Sequence, residues 1–484
     1  MKPRNKTKMK RYFITMLAVL TLIFCSAGCG GCAGCSKKTA REALEDAYTK
    51  TFVQNHPVES LVGLKDLTSK QQENQAYSSG LSLTLQELSG EGLEEYSAFS
   101  GLGFSMNTAS DLANRKASGS FDVNYGGSTY ITLGGQMQGS KFYLTVPQLL
   151  DGSITLDLST LKEDLASDSL FAKSFRESGL TLPEDFSADM FDSLGAFSSL
   201  EGLGKITSAL DDFSESILVE VADKEAVTLP DTIEAKSLYT VTITKDTYKS
   251  LAKATVEAIL DNMQASANAL VESLGKSATD VDMSEIDMTE INASLDELAE
   301  AVGDVVLTVA VNKDGYITYA TSEVATETET FTFTAKFLGE KNPVTESLIT
   351  FDATVDGETM TFSYQDSFDT ETNGLSLTAD FTADGETLLS VACEGSLSDI
   401  EKGKKYTLDM DYLEFKLADA LSVSLAGSYY IDTTKCDITA PTGTEYGLLT
   451  MTENDLTVLV LEVLANIKKD PLLSELLNYI DLGI

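Results

Sequence analysis

Four of the six cysteines lie within the first 35 of 484 residues, and their spacing is the first place to look for chemistry. The run Cys29-x-x-Cys32-x-x-Cys35 has part of the spacing with which thiolates ligate an iron–sulfur cluster. The Cys-Pro pair that follows in such runs is missing, and a chain that is exported unfolded cannot carry a cluster with it. The sequence therefore predicts no cofactor here.

The residues before these cysteines have the pattern of an export signal. Six basic residues between Lys2 and Arg11 precede an apolar run from Tyr12 to Cys25, and the small residues Ser26, Ala27 and Gly28 follow. A basic region, a short apolar region and a small-residue cleavage site are typical of a signal peptide. The apolar run is shorter than the roughly 20 residues that a permanent membrane helix needs. We therefore predict a signal peptide over residues 1–28 and a Gly/Cys-rich tether over 29–39.

A cysteine directly after Ala-Gly resembles the lipobox of bacterial lipoproteins, although Ser26 stands where the family usually has Leu. The resemblance implies a diacylglyceryl thioether on Cys29, with Cys32 and Cys35 as alternatives. Two acyl chains give stable membrane anchoring where one does not. The expected location is the outer face of the cytoplasmic membrane.

The two remaining cysteines, Cys393 and Cys436, lie in or beside predicted strands. Outside the cytoplasm they could form a disulfide. The alternative is that each is an isolated small core residue, since spacing alone cannot place them in contact.

No catalytic constellation is apparent in the rest of the sequence. The single histidine, His56, precedes Pro57 in a predicted turn, which indicates a loop residue. Ser-x-x-Lys occurs at Ser159 and at Ser250, but a pattern this short arises by chance in a serine-rich chain. We therefore expect a protein that is not an enzyme.

A cluster of acidic residues offers the one candidate for metal binding. Its five carboxylates lie close together but lack the glycine and the final glutamate of a calcium-binding EF-hand loop: Asp280, Asp282, Glu285, Asp287 and Glu290. The alternatives are a weak calcium site and a solvated helix start.

Composition excludes some partners and permits a core. Asp and Glu number 75 against 35 Lys and Arg, which gives a net charge of −40. Such a charge opposes binding to nucleic acid. A hydrophobic content of 43% is enough for a folded body rather than a disordered chain.

Hydrophobic periodicity predicts an α+β, β-rich fold in which a long, curved, half-barrel-like antiparallel meander packs on helices. Period-two alternation dominates after residue 304, and Asp-Gly pairs at Asp356 and Asp384 predict tight hairpins. A capping box is predicted at Thr452, with Asp455 at its third position. The predicted segments are a helix, meander and short helices over 40–235, a long helix and large sheet over 236–445, and C-terminal helices over 446–484.

This layout of lipobox, first helix, meander and a turn at Asp314-Gly315 resembles the half-barrel carrier lipoproteins of the LolA and LppX type. It is also similar to clostridial-type surface lipoproteins of Gram-positive bacteria. The first resemblance implies a bent sheet that wraps helices around an apolar cavity.

Two functions from different classes remain open. The first is a non-enzymatic binding protein for an apolar or lipid-like ligand, whose candidate cavity walls are Ile259, Met263, Val306, Leu307, Ile317, Phe333, Phe337, Phe351, Phe362 and Leu377. The second is a structural or interaction module at the cell surface, with a protein partner that the sequence does not identify. Stripes of this kind also occur as an ordinary filled core.

Overall fold

The computed structural model describes residues 39–72, 75–90, 92, 99–177, 208, 212–223, 227–258, 289, 292–293, 295–296, 299–300, 303–325, 329–339, 343–355, 357–418 and 420–469. The predicted signal peptide and the tether up to residue 38, with Cys29, Cys32 and Cys35, lie outside the described residues. So do Ile259, Met263 and the five acidic residues of the candidate calcium site.

The described residues are rich in strands. In chain order the strands are β1 (Tyr77–Ser89), β2 (Leu102–Asp111), β3 (Lys116–Tyr125), β4 (Ser128–Gln138), β5 (Lys141–Thr145), β6 (Gly152–Asp157), β7 (Leu218–Val221), β8 (Ser237–Ile243), β9 (Val305–Val311), β10 (Ile317–Ala325), β11 (Glu329–Leu338), β12 (Glu346–Val355), β13 (Glu358–Asp369), β14 (Gly374–Ala383), β15 (Glu386–Glu401), β16 (Lys405–Leu417), β17 (Leu421–Asp432) and β18 (Thr444–Gly447).

Helices are fewer and shorter. They are α1 (Ala40–Tyr48), continued by a π-helical turn (Thr49–Gln54), then α2 (Pro57–Val62), α3 (Leu64–Gln72), α4 (Leu161–Leu165), α5 (Leu170–Glu177) and α6 (Glu453–Ile467). Residues 245–258 are also helical. The predicted β-rich α+β class, built on a long antiparallel meander with helices, is confirmed.

The chain forms two compact units, each assembled from two stretches of sequence. Unit 1 comprises Met1–Ser60 and Phe197–Ala392, and unit 2 comprises Leu61–Ala196 and Cys393–Ile484. Strand β1 pairs with β17, which brings an early and a late segment into unit 2. The consecutive segments drawn from the sequence, with boundaries at 235 and 445, therefore differ from the units.

In unit 1 the strands from β9 to β14 form a meander of antiparallel neighbours. The predicted Asp-Gly hairpin between β14 and β15 is confirmed, because Asp384 and Gly385 have positive φ angles of 51° and 82°. At the turn between β9 and β10, the Asn312 side chain accepts hydrogen bonds from the backbone N–H groups of Asp314 and Tyr316, both at 3.0 Å.

The first helix packs onto this turn and completes the core of unit 1. Its continuation places Thr51 fully buried, with Oγ1 accepting a hydrogen bond from the Ile317 N–H at 2.9 Å. Lys50 Nζ donates to the Asp314 carbonyl. The core around this contact combines α1, β8, β9 and β10 with the helix at 245–258, and its buried members include Tyr239, Val309 and Leu251.

In unit 2, β1 lies between β2 and β17, and the strands from β2 to β6 form a second antiparallel meander. Strand β18 runs parallel to β6. The chain is bent locally by bulges, at Leu85/Glu87 in β1 and at Met410/Leu413 in β16.

Helix α6 begins with the predicted capping box. Thr452 Oγ1 accepts from the Asp455 N–H at 3.2 Å, and the Asp455 carboxylate accepts from the Thr452 N–H at 3.0 Å. Near the other end, Asn466 Nδ2 donates to the Leu149 carbonyl at 3.0 Å. The helix is therefore fixed beside the connection between β5 and β6.

Two predictions drawn from hydrophobic periodicity need correction. The helical spacing of the apolar residues in α6 predicts that Val460 is buried, but 41% of its surface is exposed, because this helix is apolar around most of its circumference and can bury only one side. Periodicity does not predict strands β2, β6 and β18, since β2 is rich in Gly, Ser and Asn while β6 and β18 are short. It predicts short helices over 159–222, where the structure has the strand β7 (Leu218–Val221). Across the described part of the chain, no helix has the length and hydropathy required to cross a membrane.

Candidate functional site

Four of the predicted cavity residues lie on one row of the unit 1 sheet. The cross-strand partners along this row are Leu307, Ser322, Phe333, Phe351, Phe362 and Phe381, one from each strand from β9 to β14. Phe331 lies on the same face, with its ring centroid 6.4 Å from that of Phe351. The four phenylalanines of the row are half-buried. The row is therefore apolar except at Ser322.

The remaining predicted cavity residues do not belong to this row. Ile317 is buried in the filled core of unit 1, and Phe337 packs edge-on against Phe52 with ring centroids 4.9 Å apart. Val306 points to the opposite face of β9 and is 46% exposed. Leu377 pairs with Asp366 and lies on the same face as the row, four residues along β14 from Phe381. Among the described candidates, Val306 is therefore the one that the register directs to the other face of the sheet.

Two polar groups interrupt the apolar face of unit 1. Ser322 is 7% exposed, and its buried Oγ has no hydrogen-bond partner. Asp366 lies on the same face, where burial raises the pKa of its carboxyl although hydrogen bonds with Ser347 and Tyr364 act in the opposite direction. Burial also raises the pKa of Tyr364 to about 12, and Asp366 is a further cause. Both groups are thus neutral over a wider pH range than in water.

A more open apolar surface lies in unit 2. Six large side chains from β2 to β5 point to one face and are each between 37% and 50% exposed: Leu102, Phe104, Met106, Phe121, Leu133 and Leu144. We call this set the exposed apolar face. The Phe104 and Phe121 rings stack with centroids 6.2 Å apart. Contiguous exposed apolar surface of this kind marks interaction or ligand sites in soluble proteins.

A groove of about 440 Å³ adjoins this face, and Leu144 belongs to both. Its floor contains Gly119 and Gly135, which are cross-strand partners on β3 and β4. A Cβ at Gly135 would meet nothing within 4 Å, and one at Gly119 would meet only the Asn107 carbonyl oxygen at 3.9 Å. The two missing side chains therefore create the depression.

The walls of the groove come from β4, β5, β6 and the segment after β18. They include Met137, Phe142, Leu144, Ile154, Leu156 and Leu448, and no residue lining the groove carries a charge. Helices α4 and α5 support this side, because Leu161 and Phe171 pack with Phe142 and Leu156. The groove is therefore held by a packed core on one side and open on the other.

The opposite face of β2 to β4 is polar and hydrogen-bonded. The Asp122 carboxylate accepts from Ser105 Oγ at 3.0 Å and from Thr132 Oγ1 at 2.6 Å. Asn124 Nδ2 donates to Ser105 Oγ at 3.3 Å. Because this side satisfies its polar groups internally, the strands can present their apolar side to an external partner.

The residues considered for catalysis are either buried or paired with other groups. Burial lowers the pKa of His56, which favours the neutral imidazole. Ser159 Oγ donates to the Asp157 carboxylate at 2.6 Å, while Lys253 Nζ donates to that of Asp296 at 3.1 Å. No group of three His, Cys, Asp or Glu side chains suited to a metal ion occurs among the described residues.

Cys393 and Cys436 are both free thiols, so the structure does not join them in a disulfide. Cys436 Sγ donates to the Ser110 carbonyl at 3.3 Å. Burial raises the pKa of both thiols, which keeps them protonated and poorly reactive at neutral pH.

The residues of the groove are not among those predicted from the sequence to form a site. Alternation in β3 and β5 predicted strands, but a strand pattern does not show which apolar face remains uncovered. The signal in the sequence that could have identified the groove is the presence of Gly119 and Gly135 inside two neighbouring strands, because glycine inside a strand marks a site where a side chain is missing.

Comparison with known proteins gives no family. No family model matches the chain, and no curated protein matches it. Among solved structures it is similar to a mutant of the vaccine antigen transferrin-binding protein B from Haemophilus parasuis, with 9% identity and a TM-score of 0.10 over 74% of this chain and 76% of that chain. It is also similar to the CymD monoaromatic hydrocarbon channel, with 7% identity and a TM-score of 0.11 over 79% and 94%. Likeness this low carries no argument about function.

Proposed function

We propose that this chain is an exported, lipid-anchored protein whose folded body binds an apolar ligand without catalysing a reaction. The observation that supports the binding function is the uncharged groove of about 440 Å³ that adjoins the exposed apolar face. Ligand pockets typically measure about 300–1,000 Å³ and are lined mostly by apolar side chains. The proposed site is in unit 2, whereas all the described candidate walls predicted from the sequence belong to unit 1.

The ligand we propose is an uncharged chain or ring rather than an anion. No lining residue carries a positive charge that could form an ion pair with a carboxylate or phosphate, and Lys141, next to Phe142, is already paired with Glu445. The net charge of −40 repels anions at long range. A lipid would therefore bind through its acyl part, with any anionic head group left in water.

The anchoring function rests on the sequence. Acylation of Cys29 would hold the body at the outer face of the cytoplasmic membrane, where apolar ligands are concentrated. Binding to nucleic acid is not part of this proposal, because the charge opposes it.

Filling the groove tests the binding function. Gly135→Leu places a side chain into the open floor, while Ser120→Leu adds the same side chain on the opposite face of β3 as a matched control. We expect Gly135→Leu to weaken binding of the neutral fluorescent probe N-phenyl-1-naphthylamine by about tenfold or more, the loss that corresponds to 1.4 kcal/mol. Equal affinity of both variants and wild type would contradict the proposal.

Metabolic labelling with an alkyne fatty acid tests the anchor. Cys29→Ala should lose the label, while Cys32→Ala and Cys35→Ala keep it. A label that survives in Cys29→Ala places the anchor elsewhere, and an unlabelled wild type removes the lipoprotein assignment.

A second function, that of an interaction module, is favoured by the extent of the exposed apolar face beyond the groove. Phe104, Met106 and Phe121 are exposed but do not line the groove. A partner surface explains these residues, whereas a small ligand in the groove does not.

A further inference from the structure

The exposed apolar face is large enough to serve as a protein interface. Aromatic side chains bury about 150–250 Å² each, and leucine and methionine are only slightly smaller, so six such residues at 37–50% exposure present roughly 500 Å². Two such faces together reach about 1,000 Å², the lower limit for a specific interface. The half-buried side chains around them add to this area.

The shape and chemistry of the face are compatible with a second copy of itself. Its six side chains stand on neighbouring antiparallel strands, and apolar faces of this kind pack face to face about 10 Å apart in β-sandwiches. None of the six is charged, so the pairing of two identical faces would bring no like charges into contact. An isologous pair of this kind is the commonest symmetry among oligomers.

The groove gives the pairing a consequence. In a single copy the groove is open to water on the side away from Phe142 and Leu156. A second apolar sheet would cover its floor at Gly119 and Gly135. The two grooves would then become internal spaces between the paired faces.

We propose that two copies of this chain pair through their exposed apolar faces, forming a weak, reversible homodimer. This inference does not need a ligand and stands apart from the proposed binding function. The net charge of −40 on each copy opposes association at long range, so pairing strengthens as salt screens the charge.

Photo-crosslinking of the full chain on intact cells tests the proposal. The photoreactive amino acid p-benzoylphenylalanine replaces Leu133, which is 50% exposed near the middle of the face, and in the control it replaces Ser120 on the opposite face of the neighbouring strand. We expect an adduct of two copies from position 133, identified by mass spectrometry, and none from position 120. Adding Phe121→Glu, which places a charge beside Leu133, should abolish that adduct.

The outcomes separate the candidate occupants. An adduct to a different protein, to lipid alone or to a segment of the same copy would overturn the homodimer, as would equal adducts from both positions. An adduct that survives Phe121→Glu would also overturn it. Probe binding that is lost in Gly135→Leu while the adduct remains shows that ligand binding and pairing are separate properties.

Discussion

Thr51 provides the sharpest test of how the first helix is joined to the sheet of unit 1. The side chain is fully buried, and its hydroxyl donates to the Ala47 carbonyl at 2.6 Å and accepts from the Ile317 N–H at 2.9 Å. Thr51→Val keeps the shape and the branched side chain but removes the acceptor. A buried N–H left without a partner costs about 1–3 kcal/mol.

Thr51→Ser is the matched control, because it keeps the hydroxyl and removes one methyl group. Burial of a methyl contributes about 0.8 kcal/mol, and the small cavity adds to the loss. We expect Thr51→Val to destabilise unit 1 by about 2 kcal/mol and Thr51→Ser by about 1 kcal/mol. For a unit of about 150–250 residues, each 1 kcal/mol shifts Tm by about 2–4 °C.

Differential scanning calorimetry should therefore show a shift of about 4–8 °C for Thr51→Val in the transition of unit 1. The Tm of Thr51→Ser should lie between those of Thr51→Val and the wild type. If Thr51→Val has the same Tm as wild type, or if Thr51→Ser has a lower Tm than Thr51→Val, the hydroxyl of Thr51 is not what joins the helix to β10.

Two further predictions concern pH and backbone packing. Burial raises the pKa of the Asp366 carboxyl above 3.8, so the folded state binds the proton more tightly than the unfolded state does. Ionisation of this carboxyl therefore lowers the stability of the folded state as the pH rises from 3.8 through the folded pKa. Asp366→Asn should be more stable than wild type at neutral pH and equally stable below pH 3.8, as measured by urea unfolding. A constant difference across that range would contradict this explanation. Gly135→Ala should stabilise unit 2 by about 0.5–1 kcal/mol, because its Cβ meets nothing and alanine loses less backbone entropy on folding. Gly134→Ala should destabilise unit 2, because the new Cβ at position 134 would lie 2.3 Å from Thr145 Oγ1. Thermal unfolding distinguishes the two variants. The same sign for both substitutions would show that the assigned faces of β4 are wrong.

Alternation predicts the strands β8 to β14 of unit 1 but not β7, and the candidate walls include both Val306 and Leu307, which lie on opposite faces of β9. Alternation fixes which residues share a face, and the Asp-Gly turn fixes the register of the adjoining strands. Phe333, Phe351 and Phe362 are cross-strand partners on one row of the sheet, and their role as cavity walls stays a prediction. Alternation does not show what covers a face, and for this reason Ile317 was grouped with them although it lies in a filled core.

The groove of unit 2 depends on a detail that the sequence pattern does not contain. The hairpin at Gly126-Gly127 pairs Tyr125 with Ser128, and an uninterrupted ladder from that pair would place Gly134 opposite Gly119. A bulge at Tyr130, between the pairs Asn124–Thr129 and Val123–Ile131, shifts the register by one residue, so that Gly135 takes this position. A shift of one residue exchanges the faces of every later residue in the strand.

The bulge thereby decides both the chemistry and the shape of β4. It directs Leu133 and Met137 to the apolar face, with Gly135 between them, and turns Gly134 towards Thr145. The uninterrupted register would instead direct Thr132, Gly134 and Gln136 to that face, and polar side chains would occupy a surface on which Phe121 and Leu144 lie. An apolar groove in this unit therefore requires the bulge, because the pattern of residues in β4 becomes apolar on the right side only after the register has shifted.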